Sequence, residues 1–277
     1  MADNEHTDHA HIAHGYVRYV ALGDSQSEGV GDGDDVTGLR GLADRLAEQL
    51  AVLNPGLQYA NLAVRGKLAG QVRAEQLAPA LAMRPDLVTV IAGVNDLMRP
   101  KFDAAEVAAE LEAMFVALTA AGVRVATVTF PDVGKIAPLA RPLRSRVLDL
   151  NARVRVAAAR HGVALADCAV HPFATDPRIW NQDRLHASPL GHARIAASLA
   201  HAIELPGSDD SWTVPLPPPP LSSRVQVLGT ELRWVSGFLG PWLLRRLRGR
   251  SSGDGRVAKR PELLPLLTEL GPAPEAP

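Results

Sequence analysis

The sequence predicts an α/β fold with three α/β/α layers, built on a five-stranded parallel sheet and followed by a C-terminal helical appendage. Three observations carry that expectation. Short β-branched apolar runs alternate with longer Ala- and Leu-rich segments of helical period. The run Leu87-Val-Thr-Val-Ile-Ala92 is almost wholly apolar, as a strand covered on both faces must be. Polar and glycine residues with chemical potential also fall just after successive strands, at the carboxyl edge where such sheets hold their ligands.

The elements follow in order. Residues 16–22 read as the first strand. Residues 39–53 read as a helix that stops at Asn54-Pro55-Gly56. Residues 57–62 form the second strand, and a helix over 68–83 ends at Arg84-Pro85. Residues 87–92 are the third strand. Asp103 is placed to cap a helix running to Ala121, which Gly122 closes. Residues 123–129 are the fourth strand, 141–161 a helix closed by Gly162, and 163–167 the fifth strand. Ser188 and Pro189 supply the cap and first position of a last helix to about Glu204. Strands separated by helices imply right-handed crossovers and helices on both faces.

Around this unit (16–205) lie a His-rich leader (1–15), a Pro-rich linker (206–220) and a C-terminal region (221–277). The leader carries His6, His9, His11 and His14 but has no secretory pattern. In the C-terminal region Val225, Leu228, Leu232, Val235, Leu239 and Trp242 recur at alternating spacings of three and four, an apolar helical stripe. Arg245, Arg246, Arg248 and Arg250 follow, then a basic, proline-rich tail. Packing of the stripe on the enzyme's own surface is the favoured expectation, ahead of a lid or a membrane-surface helix.

Composition limits the function classes. Of 277 residues 47% are hydrophobic, which permits a full core, and the net charge of −1 argues against a molecule-wide field for nucleic acid. The single cysteine, Cys168, forms no internal disulfide. No run is long and apolar enough to span a bilayer, so a cytoplasmic location is the default expectation.

Gly23-Asp24-Ser25 closes the first strand, and Asp183-Arg-Leu-His186 lies in the long loop after the fifth. A serine hydroxyl becomes a nucleophile when a base takes its proton and a third group fixes the base. The three-residue spacing lets Asp183 reach Nδ1 of His186 and leaves Nε2 for Ser25. Gly66, after the second strand, permits close backbone approach, and Asn95, after the third, offers a side-chain N–H. Each signal alone is an ordinary turn or cap; four at one sheet edge, in order, point to a site. Asp24 and Asp96 read as turn and helix-bracing residues, and His192 and His201 as surface or packing histidines.

These blocks resemble the SGNH hydrolases, the GDSL-type esterases and lipases. Val20-Ala-Leu-Gly-Asp-Ser25 is similar to the first block, Asn61-Leu-Ala-Val-Arg-Gly66 to the second, Gly93-Val-Asn-Asp96 to the third, and Asp183-Arg-Leu-His186 with Pro189-Leu-Gly-His192 to the last. The resemblance covers about residues 16–204 and implies a flavodoxin-like sheet. It implies Ser25 as nucleophile, His186 as base, Asp183 as acid, and Ser25, Gly66 and Asn95 as oxyanion donors. It departs at Gln26, where the name-giving leucine stands, and at Ala187, where a proline often follows the histidine.

The expected function is hydrolysis of carboxylic esters of short or medium acyl chains, with a small-molecule ester as partner and no metal or organic cofactor. A thioesterase, lysophospholipase, O-acetyl esterase or acyltransferase would use the same site, and a catalytically silent binding module is the rival of a different class. Nucleic-acid binding by the arginines lacks aromatic platforms. Oligomeric state is not legible.

Overall fold

The structure, a computed structural model, describes residues 15–218, 229, 232–241 and 251–266. Strand β1 (Arg18–Gly23) leads into a single helical turn, α1 (Ser25–Glu28). A two-strand hairpin, β2 (Gly33–Asp34) and β3 (Gly38–Leu39), precedes α2 (Leu42–Leu53). Then come β4 (Gln58–Asn61), α3 (Ala69–Ala82), β5 (Leu87–Ile91), the turn α4 (Val94–Leu97) and α5 (Ala104–Ala120). After β6 (Arg124–Val128) follow the turn α6 (Val133–Ile136), α7 (Arg144–Arg160), β7 (Ala164–Ala166) and α8 (Pro189–Ala202). The expected elements are all present, with ends shifted by one to three residues, where helices fray and caps decide.

The main sheet has six strands in the order β7-β6-β5-β1-β4-β8, and the expected count of five is corrected. The sixth, β8 (Arg260–Pro265), runs antiparallel along β4; the other neighbours are parallel. Its sequence, Arg-Pro-Glu-Leu-Leu-Pro, lies in the tail read as basic and proline-rich. Two prolines argue against a central strand, yet an edge strand tolerates them because one side of its backbone needs no partner. The Arg260 guanidinium secures the strand: it is buried, donates to the carbonyls of Tyr59, Leu264 and Pro265, and lies over the Tyr59 ring.

The five parallel strands have flavodoxin-like order, which places a switch point between β1 and β5. All five residues of β5 are buried, as its apolar run requires. Helices α2 and α8 pack together on one face, and α3, α5 and α7 form a contiguous layer on the other. Tyr19 and Tyr59 stack at 5.1 Å within the core, and the Tyr19 hydroxyl is satisfied by Thr89 Oγ1 at 2.8 Å.

The C-terminal stripe differs from expectation. Residues 232–241 are helical, with a π turn over Val235–Leu239. Leu232 and Val235 are exposed, and the buried side chain is Trp234, off the stripe. Val225, Leu228 and Trp242, like the arginines 245–250 and the leader histidines, lie outside the described residues. Among the described residues no helix is long and apolar enough to cross a membrane.

Candidate active site

The sharp exit from β1 creates the serine position. Gly23 adopts φ 148° and packs so closely on β5 that a Cβ there would lie 2.2 Å from the Ile91 carbonyl oxygen. Gln76 of α3 fixes the same residue twice: its Oε1 accepts the Gly23 N–H at 2.8 Å, and its Nε2 donates to the Gly23 carbonyl at 2.9 Å. Asp24 then caps α1 by accepting the Gln26 N–H, and Ser25 becomes the first helical residue.

The loop between β7 and α8 brings the other two side chains. His186 Nε2 lies 2.9 Å from Ser25 Oγ, and His186 Nδ1 lies 2.6 Å from Asp183 Oδ2. The other Asp183 oxygen accepts the N–H groups of Leu185 and His186 at 2.9 and 3.0 Å. Burial opposes the charge on Asp183, but His186 and these two N–H groups outweigh it and hold the carboxyl below its usual range. Asp183 is therefore a carboxylate at neutral pH. It favours the imidazole tautomer with hydrogen on Nδ1, which leaves Nε2 free to take a proton.

Gly66 sits in a turn with φ 81°, and the turn is tied to the serine helix. Glu28, buried at the end of α1, accepts the Arg65 N–H at 2.6 Å and pairs with the Arg65 guanidinium at 2.7 Å. Among the described residues neither the Ser25 nor the Gly66 backbone N–H donates to a protein acceptor. Asn95 is engaged: its Nδ2 donates to Asp24 Oδ2 and to the Lys67 carbonyl, both at 3.0 Å. An oxyanion drawing on Asn95 has to share or displace one of these bonds.

Asp24 is both turn brace and neighbour of the site. Burial pushes its carboxyl up to about 7, against the Gln26 N–H, the charge of His186 and the Asn95 amide. Asp96 braces a helix, though not the one that follows it: it accepts the Ala69 N–H at the start of α3. His192 is fully buried. Its Nδ1 accepts the Leu42 N–H and its Nε2 faces the Val30 carbonyl, each at 3.1 Å, which fixes a neutral ring protonated on Nε2. His201 is exposed.

A cavity of about 60 Å³ opens beside the serine helix. Gln26 and Leu185 border it, and Ile91, Leu97, Phe130 and Phe173 are among its apolar walls. Among the described residues no cluster of three His, Cys, Asp or Glu side chains could hold a metal ion.

Sequence reasoning missed Gln76, Glu28 and the role of Gln26. Gln76 is a buried amide within a helix, and nothing in its sequence neighbourhood signals that burial.

Residues 21–194 match the GDSL-like lipase/acylhydrolase family. No curated protein matches the chain. Among solved structures, an α/β hydrolase enzyme from the metagenome of Lake Arreo, Spain, shares 23% identity at a TM-score of 0.55, over 68% of this chain and 95% of that one. An acetylxylan esterase from Geobacillus stearothermophilus shares 18% at 0.56, over 72% and 96%. The lipase/acylhydrolase of Enterococcus faecalis shares 21% at 0.54, over 68% and 95%. These neighbours share the α/β/α fold. With well over half of its length matched, the chain belongs to the GDSL-like lipase/acylhydrolase family and is an enzyme of the carboxylic-ester-hydrolase class.

Proposed function

We propose that this enzyme hydrolyses carboxylic esters of short or medium acyl chains by way of an acyl-enzyme on Ser25. The observation that carries the reading is the continuous hydrogen-bonded chain Ser25–His186–Asp183, with contacts of 2.9 and 2.6 Å. Ser25 Oγ attacks the ester carbonyl as His186 Nε2 takes its proton. Asp183 stabilises the imidazolium that results. The negative oxygen is received by the Ser25 and Gly66 N–H groups, with Asn95 as a third donor. His186 then gives its proton to the departing alkoxide. Water, activated by the same histidine, attacks the acyl-serine, releases the carboxylic acid and restores Ser25.

The apolar cavity supports the choice of acyl group. It adjoins the serine through Gln26 and is walled by aliphatic and aromatic side chains. Such a space stabilises a hydrocarbon chain and offers little to a charged one. Among the fold neighbours, catalytic mutants of the Geobacillus stearothermophilus acetylxylan esterase alter a serine, an aspartate and a histidine, the same three residue types.

The test is hydrolysis of p-nitrophenyl acetate, butyrate and octanoate by the protein beside Ser25→Ala. Turnover should fall by on the order of 10⁴-fold or more in the variant. Equal rates for the two proteins would refute the reading. Among the three esters, acetate or butyrate should give the highest kcat/KM.

A further inference from the structure

The loop that carries His186 is bonded on both sides by remote side chains. Gln26 spans the histidine: its Nε2 donates to the Leu185 carbonyl at 2.8 Å, and its Oε1 accepts the Ala187 N–H at 3.4 Å. One orientation of the amide satisfies both groups, so the pair fixes the side chain as well as the loop. From the other side, Trp234 Nε1 donates to the Asp183 carbonyl at 2.9 Å. The Arg184 guanidinium lies 4.9 Å from the Trp234 ring centroid, within cation–π range.

The loop needs such holding. Its backbone is tied at its base, where the Asn181 N–H donates to the His186 carbonyl and the Ser188 N–H to the Ile179 carbonyl, both at 2.8 Å, around one antiparallel bridge between Trp180 and Ala187 among the described residues. These bonds leave the Asp183 and Leu185 carbonyls to Trp234 and Gln26. Arg184 stands at φ 58°, a left-handed conformation that costs a non-glycine residue energy and persists only when its surroundings impose it. His186 must nonetheless meet Ser25 and Asp183 at once, and a displacement of an ångström would break one contact or the other.

Neither holder belongs to the family pattern. Gln26 stands where the pattern places leucine, which can neither donate nor accept a hydrogen bond. Trp234 lies forty residues beyond the last family-matched residue, 194, counting from 194 to 234. We propose that Gln26 and Trp234 are positioning residues that clamp the 183–187 loop from two sides and so hold His186 in register with Ser25. This rests on the esterase reading of the site.

The test uses the full chain with Gln26→Met, which keeps the volume and removes both bonds, and Trp234→Phe, which keeps a ring for Arg184 and removes the donor. Three quantities are read: kcat and KM against pH on p-nitrophenyl acetate and butyrate, the ring N–H and carbon resonances of His186 by NMR without substrate, and the melting temperature. Gln26→Met should lower kcat roughly 10-fold or more on both esters. Its KM should stay within about twofold, and the acidic limb of its pH profile and the His186 resonances should move. Trp234→Phe should shift the same quantities in the same direction by a few-fold.

The proposal falls if both folded variants keep wild-type kcat, pH profile and His186 resonances. It also falls for Gln26 if the change is confined to KM for butyrate, which would make that residue a wall of the cavity alone. Trp234→Phe and the NMR readout carry the test should Gln26→Met fail to fold. Wild-type protein inactive on every ester, with His186 resonances that still move in the variants, would overturn the esterase reading and leave the clamp standing.

Discussion

The family-matched span and the described C-terminal residues are held in place by different balances of apolar burial and polar contact. Within residues 21–194 the strands are anchored by apolar burial: every residue of β5 is inside, and so are Ala21, Leu22 and Gly23 of β1. The C-terminal residues leave Leu232, Val235, Phe238 and Leu264 exposed. They attach through the pairing of β8 with β4, through Leu266 and Leu263 against the core, and through a set of polar side chains. Arg260 reaches the Tyr59 carbonyl, Lys259 reaches the Leu39 carbonyl and Asp44, Arg256 reaches Asp35, and Trp234 reaches Asp183. Apolar burial is non-directional and tells which segments form the core. Hydrogen bonds from side chain to backbone are directional, so this segment arrives in one register over one part of the surface. The core assembles the chemistry, and the extension holds its rim.

That division can be broken by experiment. The largest effect belongs to the core. Asn95→Ala should lower turnover by on the order of 100-fold or more if the amide serves as an oxyanion donor, and should lower the melting temperature modestly because Asp24 and the Lys67 carbonyl lose a donor. Steady-state kinetics beside calorimetry read both quantities, and unchanged turnover would remove Asn95 from that role. The next belongs to the extension. Arg260→Met leaves carbonyl acceptors on β4 and β8 without their donor and should cost about 2–4 kcal/mol of stability. Its kcat well below the melting temperature should match wild type. A lost kcat in folded protein would show that β8 takes part in the chemistry and would erase the distinction.

A smaller effect sharpens the comparison from the side of stability. Burial lowers the His192 pKa to about 4 from the ordinary 6.5, with the Val30 carbonyl and Asp32 opposing. The folded state thus binds this proton less readily than the unfolded chain. Stability from the neutral ring is complete above about pH 6.5 and is lost as pH falls towards 4, up to on the order of 3 kcal/mol. Urea midpoints should drop between pH 7 and pH 5 in wild type, and His192→Gln should flatten that slope. An unchanged slope would assign the acid sensitivity to other groups.

The parallel strands and the edge that carries Ser25, Asp183 and His186 were legible because both depend on local pattern. β-branched runs declare buried strands, glycine and proline declare their ends, and sheet topology puts every strand's carboxyl end on one side. Strand β8 was hidden by Pro261 and Pro265, whose tolerance depends on an edge position that a linear sequence does not reveal. In the described part of the apolar stripe Leu232 and Val235 are exposed: period identifies a helix, while the surface that meets the helix selects the buried residue, here Trp234.

The sequence by itself determined the α/β order, the caps at Asp103 and Ser188, and the presence of a serine, a histidine and an aspartate at one sheet edge. The elements and caps follow from residues within a few positions of one another, and the common edge follows from the rule that parallel strands point their carboxyl ends the same way. Tertiary structure alone decided which polar side chains hold the edge in place. Gln76 reaches Gly23 from 53 residues away, Glu28 reaches Arg65 from 37, and Gln26 reaches Leu185 from 159. Such pairings have no local signature, because a buried amide or carboxylate is stabilised by whichever backbone group the fold brings to it.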